Sequence, residues 1–214
     1  KTVAEKQMEE SAGQAVITVP AYFNTVQKQK TQQAGKLAGF KDVTILQEPV
    51  AAAIAYCHDD ERENLTIMTY DLGGGTFDVA IMKKEDGIFD IMAFGGDRNM
   101  GGCDFDKRLA HWIVERLREQ GFDIKADEES AQWMHLMRMS EKTKKKLTDY
   151  NEYHLNEYDT DIVDVHQKPV RFDLKISREV FEGLISEYVN ETLRLCRQAM
   201  EKSDPPIEPN AIDE

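Results

Sequence analysis

Asp71, Gly73, Gly74, Gly75, Thr76 and Asp78 fall within eight residues, and that combination suits phosphate chemistry. A tight hairpin needs one or two glycines in its turn, whereas this segment has three in succession. Consecutive glycines let the backbone lie against a ligand and turn successive N–H groups toward an anion. Two carboxylates beside a triphosphate would repel it unless a cation stood between them, and a hard oxygen site with few protein ligands favours Mg²⁺ that keeps its waters. Asp71 therefore predicts magnesium. Thr76 can offer its hydroxyl to the terminal phosphate, while Phe77 and Val79 would anchor the turn in the core. The same residues also read as a glycine-rich hairpin with acidic ends for solubility.

Other residues could serve the same chemistry. Glu48 stands where a strand gives way to a helix, and a carboxylate there can orient an attacking or magnesium-bound water; it also reads as a plain helix-start charge. Gly101 and Gly102 open a helix whose N-terminus suits a phosphate or ribose oxygen. Glu141, Lys144, Lys145 and Thr148 follow at i, i+3, i+4 and i+7, which puts all four on one helix face. A solvated ion-pair face has the same spacing. His111, His135, His154 and His166 lack metal-ligand spacing, and Trp133, Met134, Met137 and Met139 are expected to fill core. Asp159, Asp161 and Asp164 read as an exposed hairpin loop rather than a cation site.

The elements that must carry these residues are legible in outline. A polar helix end over Lys1 to Glu10 precedes a strand, Ala15 to Val19, closed by Pro20. Asn24 caps a helix to about Ala38, and Gly39 ends it. A strand at Val43 to Leu46 leads into an alanine-rich helix begun by Pro49 and running to about His58. After the polar stretch His58 to Asn64, strands at Leu65 to Tyr70, Thr76 to Lys83 and Ile88 to Phe94 form a meander of two hairpins. Helices follow at Gly101 to Gln120 and Glu128 to Leu147, then strands at Tyr153 to Tyr158 and Val170 to Ile176. Ser177 starts a last helix that stops before Pro205. This mixture predicts an α/β fold with a mixed sheet flanked by helices.

Bulk properties narrow the partners. A net charge of -13 over 214 residues would repel a polyanion, which predicts no nucleic-acid partner, and the basic run Lys142 to Lys146 is short. Cys57, Cys103 and Cys196 are far apart with no CxxC pair, which argues against a disulfide framework or a zinc site and predicts a reducing compartment. No stretch approaches the roughly 18 to 20 apolar residues of a membrane helix, so no membrane partner is expected. The expected location is the cytoplasm, with an organelle left open because a removed targeting segment would not be visible here.

The run Asp71-Leu72-Gly73-Gly74-Gly75-Thr76-Phe77-Asp78 resembles the second phosphate loop of the 70-kDa heat-shock (DnaK-type) chaperones, members of the actin, hexokinase and chaperone ATPase superfamily. Val19-Pro20-Ala21-Tyr22-Phe23-Asn24 resembles that family's first-lobe strand end. Glu48-Pro49-Val50-Ala51-Ala52-Ala53-Ile54-Ala55-Tyr56 resembles its interlobe connecting helix, and Gly101-Gly102-Cys103-Asp104-Phe105-Asp106 the start of the second lobe's upper subdomain. Four motifs in family order and spacing extend the resemblance over essentially the whole chain.

The resemblance implies an actin-like (ribonuclease H-like) ATPase fold, with residues 1–60 ending the first lobe, 61–214 in the second, and 101–180 its upper inserted subdomain. It implies ATP and ADP with Mg²⁺, and catalytic roles for Glu48, Asp71, Thr76 and Asp78, with Asp71 and Glu48 holding the metal through water. Gly73, Gly74, Gly75, Thr76, Gly101 and Gly102 would meet the nucleotide. Glu141 and Lys144 would hold the ribose hydroxyls, Lys145 the adenine ring and Thr148 the base edge. Pro20 and Lys28 would relay nucleotide state between lobes. Partners implied for the parent are unfolded polypeptide, bound through a domain outside this segment, a J-domain co-chaperone and a nucleotide exchange factor.

Some positions depart from the family. Lys145 stands for the usual arginine, Thr148 for serine, Cys103 for glutamate and Lys28 for arginine, and a guanidinium stacks on adenine better than an ammonium does. The family's first phosphate loop and transfer-assisting lysine would precede residue 1, and its Gly-Gly-Ser adenosine loop would follow Glu214. The expectation is that these 214 residues alone have little or no ATPase activity. A second reading is a nucleotide-binding regulator or exchange factor that does not hydrolyse ATP; Lys28, Cys103 and Lys145 fit it, while Glu48, Asp71, Thr76 and Asp78 favour catalysis. A third, actin-like filament formation, is opposed by the connecting-helix match.

Overall fold

A computed structural model describes residues 1–57, 60–125, 127–156 and 158–214, with the backbone alone at 158–160. The chain divides into two compact units, one of residues 1–72, 77–97 and 192–214 and the other of 73–76 and 98–191.

In the first unit, α1 (Thr2–Met8) precedes β1 (Gln14–Val19), which runs parallel to β2 (Asp42–Gln47) through the crossover helix α2 (Thr25–Leu37). The start of α2 follows from two side chains. Asn24 Oδ1 accepts the Gln27 N–H at 2.9 Å and Gln27 Oε1 accepts the Asn24 N–H at 3.0 Å, so two otherwise unpaired helix-end donors are satisfied reciprocally. Gly39, at φ 93°, turns the chain out of the helix. Helix α3 (Glu48–Tyr56) begins directly after β2 with Pro49 in its first turn. The expected end at His58 lies outside the described residues.

The three-strand meander forms as expected, with β3 (Leu65–Leu72), β4 (Phe77–Glu85) and β5 (Ile88–Asp97) in that order and antiparallel. Central β4 is buried continuously from Phe77 to Met82, an apolar run interrupted only by Asp78. Beneath it, Val50 and Ala53 of α3 and Cys57 just after it pack with Leu65, Ile67, Ala80 and Met82. Phe77 and Val79 are fully buried, as an anchored turn requires.

In the second unit, α4 (Gly102–Glu119) buries Phe105, Leu109, Ile113 and Leu117, a stripe at helical spacing. Helix α5 (Ala131–Asp149) starts three residues later than the sequence predicts, because Ser130 accepts the Trp133 N–H at 3.0 Å and so sets the cap. The two strands expected after α5 are four: β6 (Glu152–Leu155), β7 (Tyr158–Val163), β8 (Pro169–Arg171) and β9 (Leu174–Ser177). β6 pairs with β9 and β7 with β8, so each expected strand changes partner partway along.

The same correction applies to the acidic trio. Asp161 lies within strand β7, not in a loop, and the turn after that strand begins at Asp164. Asp164 is buried, and its carboxylate accepts the His166 and Lys168 N–H groups at 2.8 and 2.9 Å. The Asp159 side chain lies outside the described residues. Helix α6 (Arg178–Lys202) starts where Ser177 Oγ accepts the Val180 N–H at 3.2 Å, and the border between the units falls within this helix. Among the described residues no helix is long and apolar enough to cross a membrane.

Candidate functional site

In the first unit the chain places acids at two element ends. Asp71, next to last in β3, stands opposite Asp78 of β4 in the ladder. Glu48 is the first residue of α3, and the start of that helix is tied to β3 by the Thr69 hydroxyl, which donates to the Pro49 carbonyl at 3.3 Å. Burial raises the Glu48 carboxyl above the usual range, and the Asp71 charge raises it further. A carboxylate raised by a second negative charge is costly to ionise unless a cation joins the two. Glu48 and Asp71 are oxygen donors of the kind the magnesium expected from the sequence would need, although among the described residues no group of three or more acids, histidines or cysteines gathers as a metal cage. Asp78 is buried, with 1% of its surface exposed.

The glycine turn belongs to the second unit. The Gly73 N–H donates to the Thr76 carbonyl at 2.9 Å and closes the hairpin. None of Gly73, Gly74 and Gly75 has a positive φ, so backbone conformation does not explain three glycines. Space does: a Cβ on Gly75 would meet nothing within 4 Å and one on Gly74 only the Cys103 Sγ at 4.0 Å. The turn presents bare backbone on that side, as close approach by a ligand needs.

On its other side the turn is closed against α4. Gly102 and Cys103 donate their N–H groups to the Gly73 and Gly74 carbonyls at 2.9 and 2.7 Å, Asp104 N–H donates to the Gly101 carbonyl at 3.0 Å, and Gly101 N–H donates to Asp104 Oδ2 at 2.9 Å. The N–H donors at this helix start are paired inside the protein. Gly101 also serves packing. Its Cβ would stand 2.6 Å from the Gly74 carbonyl and the Gly75 nitrogen.

The α5 face is divided. Lys145 donates to Glu141 at 2.6 Å, and both are exposed; that hydrogen bond lowers the Glu141 carboxyl and raises the Lys145 ammonium. Lys144 turns inward, donating to the Gly102 carbonyl and to Asp106 Oδ2, each at 2.9 Å. Thr148 is exposed and lines a groove of about 300 Å³ with Leu147, Arg178, Phe181 and Ile185. A second groove, about 280 Å³, brings Gly74, Gly102, Cys103, Glu141 and Lys144 together with Met134 and Met137. Trp133 and Met139 fill core as expected, but Met134 is 53% exposed and belongs to this groove wall.

Asp106 is the residue that sequence reading passed over. It is an acid on the apolar stripe of α4, between Phe105 and Leu109, and a charge on a buried face was the available signal. Pro20 and Lys28 lie in the first unit, both half-buried, Pro20 where its carbonyl accepts the Phe23 N–H at 3.1 Å and Lys28 in α2. Cys103 is exposed, whereas Cys57 and Cys196 are buried and burial raises both thiols.

Against known proteins, the family model described as Hsp70 protein matches residues 1–214. Chaperone protein dnaK3 of Synechococcus elongatus is 38% identical over 212 residues, which is 99% of this chain and 27% of that protein. The chain thus spans about a quarter of the length of that relative.

Proposed function

The chain belongs to the Hsp70 family, and from that premise we propose that it is part of the ATP-binding and ATP-hydrolysing domain of a heat-shock chaperone, built on the actin-like fold. The observation that carries this reading is the turn at Gly73 to Gly75, bare on one side and hydrogen-bonded to α4 on the other. A turn built for its own stability would not need side-chain-free residues at both Gly74 and Gly75, where a Cβ would face open space.

In this proposal Gly73, Gly74 and Gly75 admit the phosphates to backbone distance, and the Thr76 hydroxyl donates to the terminal one. Asp71 and Glu48 would hold Mg²⁺ through its waters, and the ion supplies charge neutralisation on the phosphates. Glu48 orients the attacking water, and its raised affinity for a proton suits a base that must also release one. Asp78, opposite Asp71 in the ladder, would complete the catalytic set. Glu141, Lys145 and Thr148 meet the adenosine, with Lys144 on the ribose. Gly101 and Gly102 act by letting α4 seat on the turn.

For the parent protein the proposal is a nucleotide cycle that controls binding of unfolded polypeptide, with a J-domain co-chaperone and an exchange factor as partners, Pro20 and Lys28 as relay residues, and a cytoplasmic location. Residues 1–60 and 61–214 are proposed as parts of the two lobes. Because phosphoryl transfer depends on groups positioned from several loops at once, the 214-residue chain alone is expected to turn over little ATP. The test is single-turnover hydrolysis by the complete parent, with Thr76→Val and Asp71→Asn expected to lower the rate at least about 100-fold. Tight nucleotide binding with no hydrolysis in the wild type would replace this reading with that of a regulator.

A further inference from the structure

Lys144 and Asp106 form a partly buried ion pair in the second unit. Side-chain exposures are 22% and 8%, Lys144 Nζ lies 2.8 Å from Asp106 Oδ1 and 2.9 Å from Oδ2, and it donates to the Gly102 carbonyl at 2.9 Å. Burial raises the Asp106 carboxyl, and the hydrogen bond from Lys144 pulls it back down. An ammonium carries three N–H donors on a flexible four-carbon stem. Asp106 and the Gly102 carbonyl hold two of them and fix the head at the wall of the 280 Å³ groove, leaving one for a ligand.

We propose that Asp106 is the positioning residue of the nucleotide site: it aims Lys144 at the sugar and so sets preference for a ribonucleotide over a deoxyribonucleotide. The proposal rests on the nucleotide reading above. A lysine without Asp106 would keep its charge and its attraction for phosphate, because Coulomb attraction depends little on where a flexible head points. It would lose the fixed direction that a hydrogen bond to one hydroxyl requires. Asp106 therefore acts on sugar discrimination and leaves overall charge attraction largely in place. The same carboxylate, through Lys144 and the Gly102 carbonyl, also ties α5 to the first turn of α4, whose N–H groups hold the glycine turn.

The experiment is a double-substitution cycle on the 214-residue chain, reading the ratio of dissociation constants for 2′-deoxy-ATP and ATP with magnesium by ligand-observed NMR. Asp106→Asn is expected to reduce the ratio about ten-fold, the size of one lost charge-assisted hydrogen bond. Lys144→Met should reduce it equally, and Asp106→Asn added to Lys144→Met should change it no further. Asp106→Glu, which keeps the charge, should restore part of the preference. A drop of similar size from Asp106→Asn in the Lys144→Met background would overturn the proposal by showing a route other than Lys144, as would an unchanged ratio in Asp106→Asn alongside a lowered one in Lys144→Met. A ratio that Lys144→Met leaves untouched would instead overturn the placing of Lys144 at the ribose. A thermal melt of each variant identifies any that has lost its fold, and Asp106→Glu then carries the comparison.

Discussion

Two carboxylates in this molecule are both raised by burial, and they differ in what stands next to them. Asp106 faces Lys144, a cation supplied by the chain itself. Glu48 faces Asp71, another acid. The first pair is electrostatically complete, and the residues around it close on one another through the Gly102 carbonyl and the backbone of the glycine turn. In the second the charge that shifts Glu48 is another acid and not a cation. A site whose local charge is balanced by its own chain serves to hold other groups in place, and one left unbalanced is arranged for something that comes from solution.

The largest expected effect lies in the closed region. Gly101 is extended, at φ -172°, so its backbone accepts any residue and the cost of a side chain is purely steric. Gly101→Val would drive a Cβ to 2.6 Å from the backbone of Gly74 and Gly75, where neither partner can yield as a side-chain tip could. A loss of about 3 kcal/mol in urea unfolding is expected. Gly75→Ala is the control, since its Cβ meets nothing within 4 Å, and it should change stability by less than about 0.5 kcal/mol. Equal losses at both positions would erase the distinction between a closed side and an open one.

A smaller effect separates the two carboxylates by sign. Because the Glu48 carboxyl is raised in the folded chain, its contribution is fully present below the ordinary glutamate value of about 4.3 and is lost as pH rises through the raised value. Glu48→Gln removes that loss, so the variant should gain on the wild type as pH climbs from 4 to 7, by no more than about 0.5 kcal/mol for a half-buried group whose charge water still screens. Adding Mg²⁺ should narrow the gap by stabilising the wild type alone. Asp106→Asn should destabilise at the same neutral pH, because it leaves the Lys144 ammonium partly buried without its counter-charge. The same sign for both substitutions would mean that neither burial nor the Asp71 charge penalises the ionised Glu48.

What the sequence made legible follows from how local each signal is. The Asn24 cap, the Pro49 helix start and the hairpins of the three-strand meander are each complete within a few residues, and each formed where expected. The strand from Val170 to Ile176 was expected whole, yet at Phe172 and Asp173 the chain leaves β7 for β6; alternation along one strand carries no record of which neighbour it pairs with. The candidate site shows the same limit. Glu48, Asp71 and the glycines announced themselves by type and spacing, whereas Asp106 acquires its role only through Lys144, 38 positions further along the chain.

The smallest effect is also the one that best probes the open side. Glu141 and Lys145 pair at 2.6 Å with exposures of 49% and 71%, so water competes for both charges and holding two long side chains together costs entropy. Lys145→Ala should leave the unfolding midpoint within error. Its position matters only to a ligand. Lys145→Arg keeps the charge and the pairing with Glu141 while replacing a compact ammonium by a planar cation that can lie flat on a purine. Nucleotide affinity should rise about three-fold, with inorganic triphosphate binding unchanged because that ligand has no ring to stack on. If both ligands bind more tightly to the arginine variant, the side chain is acting as a charge alone, and the α5 face is then no adenine platform.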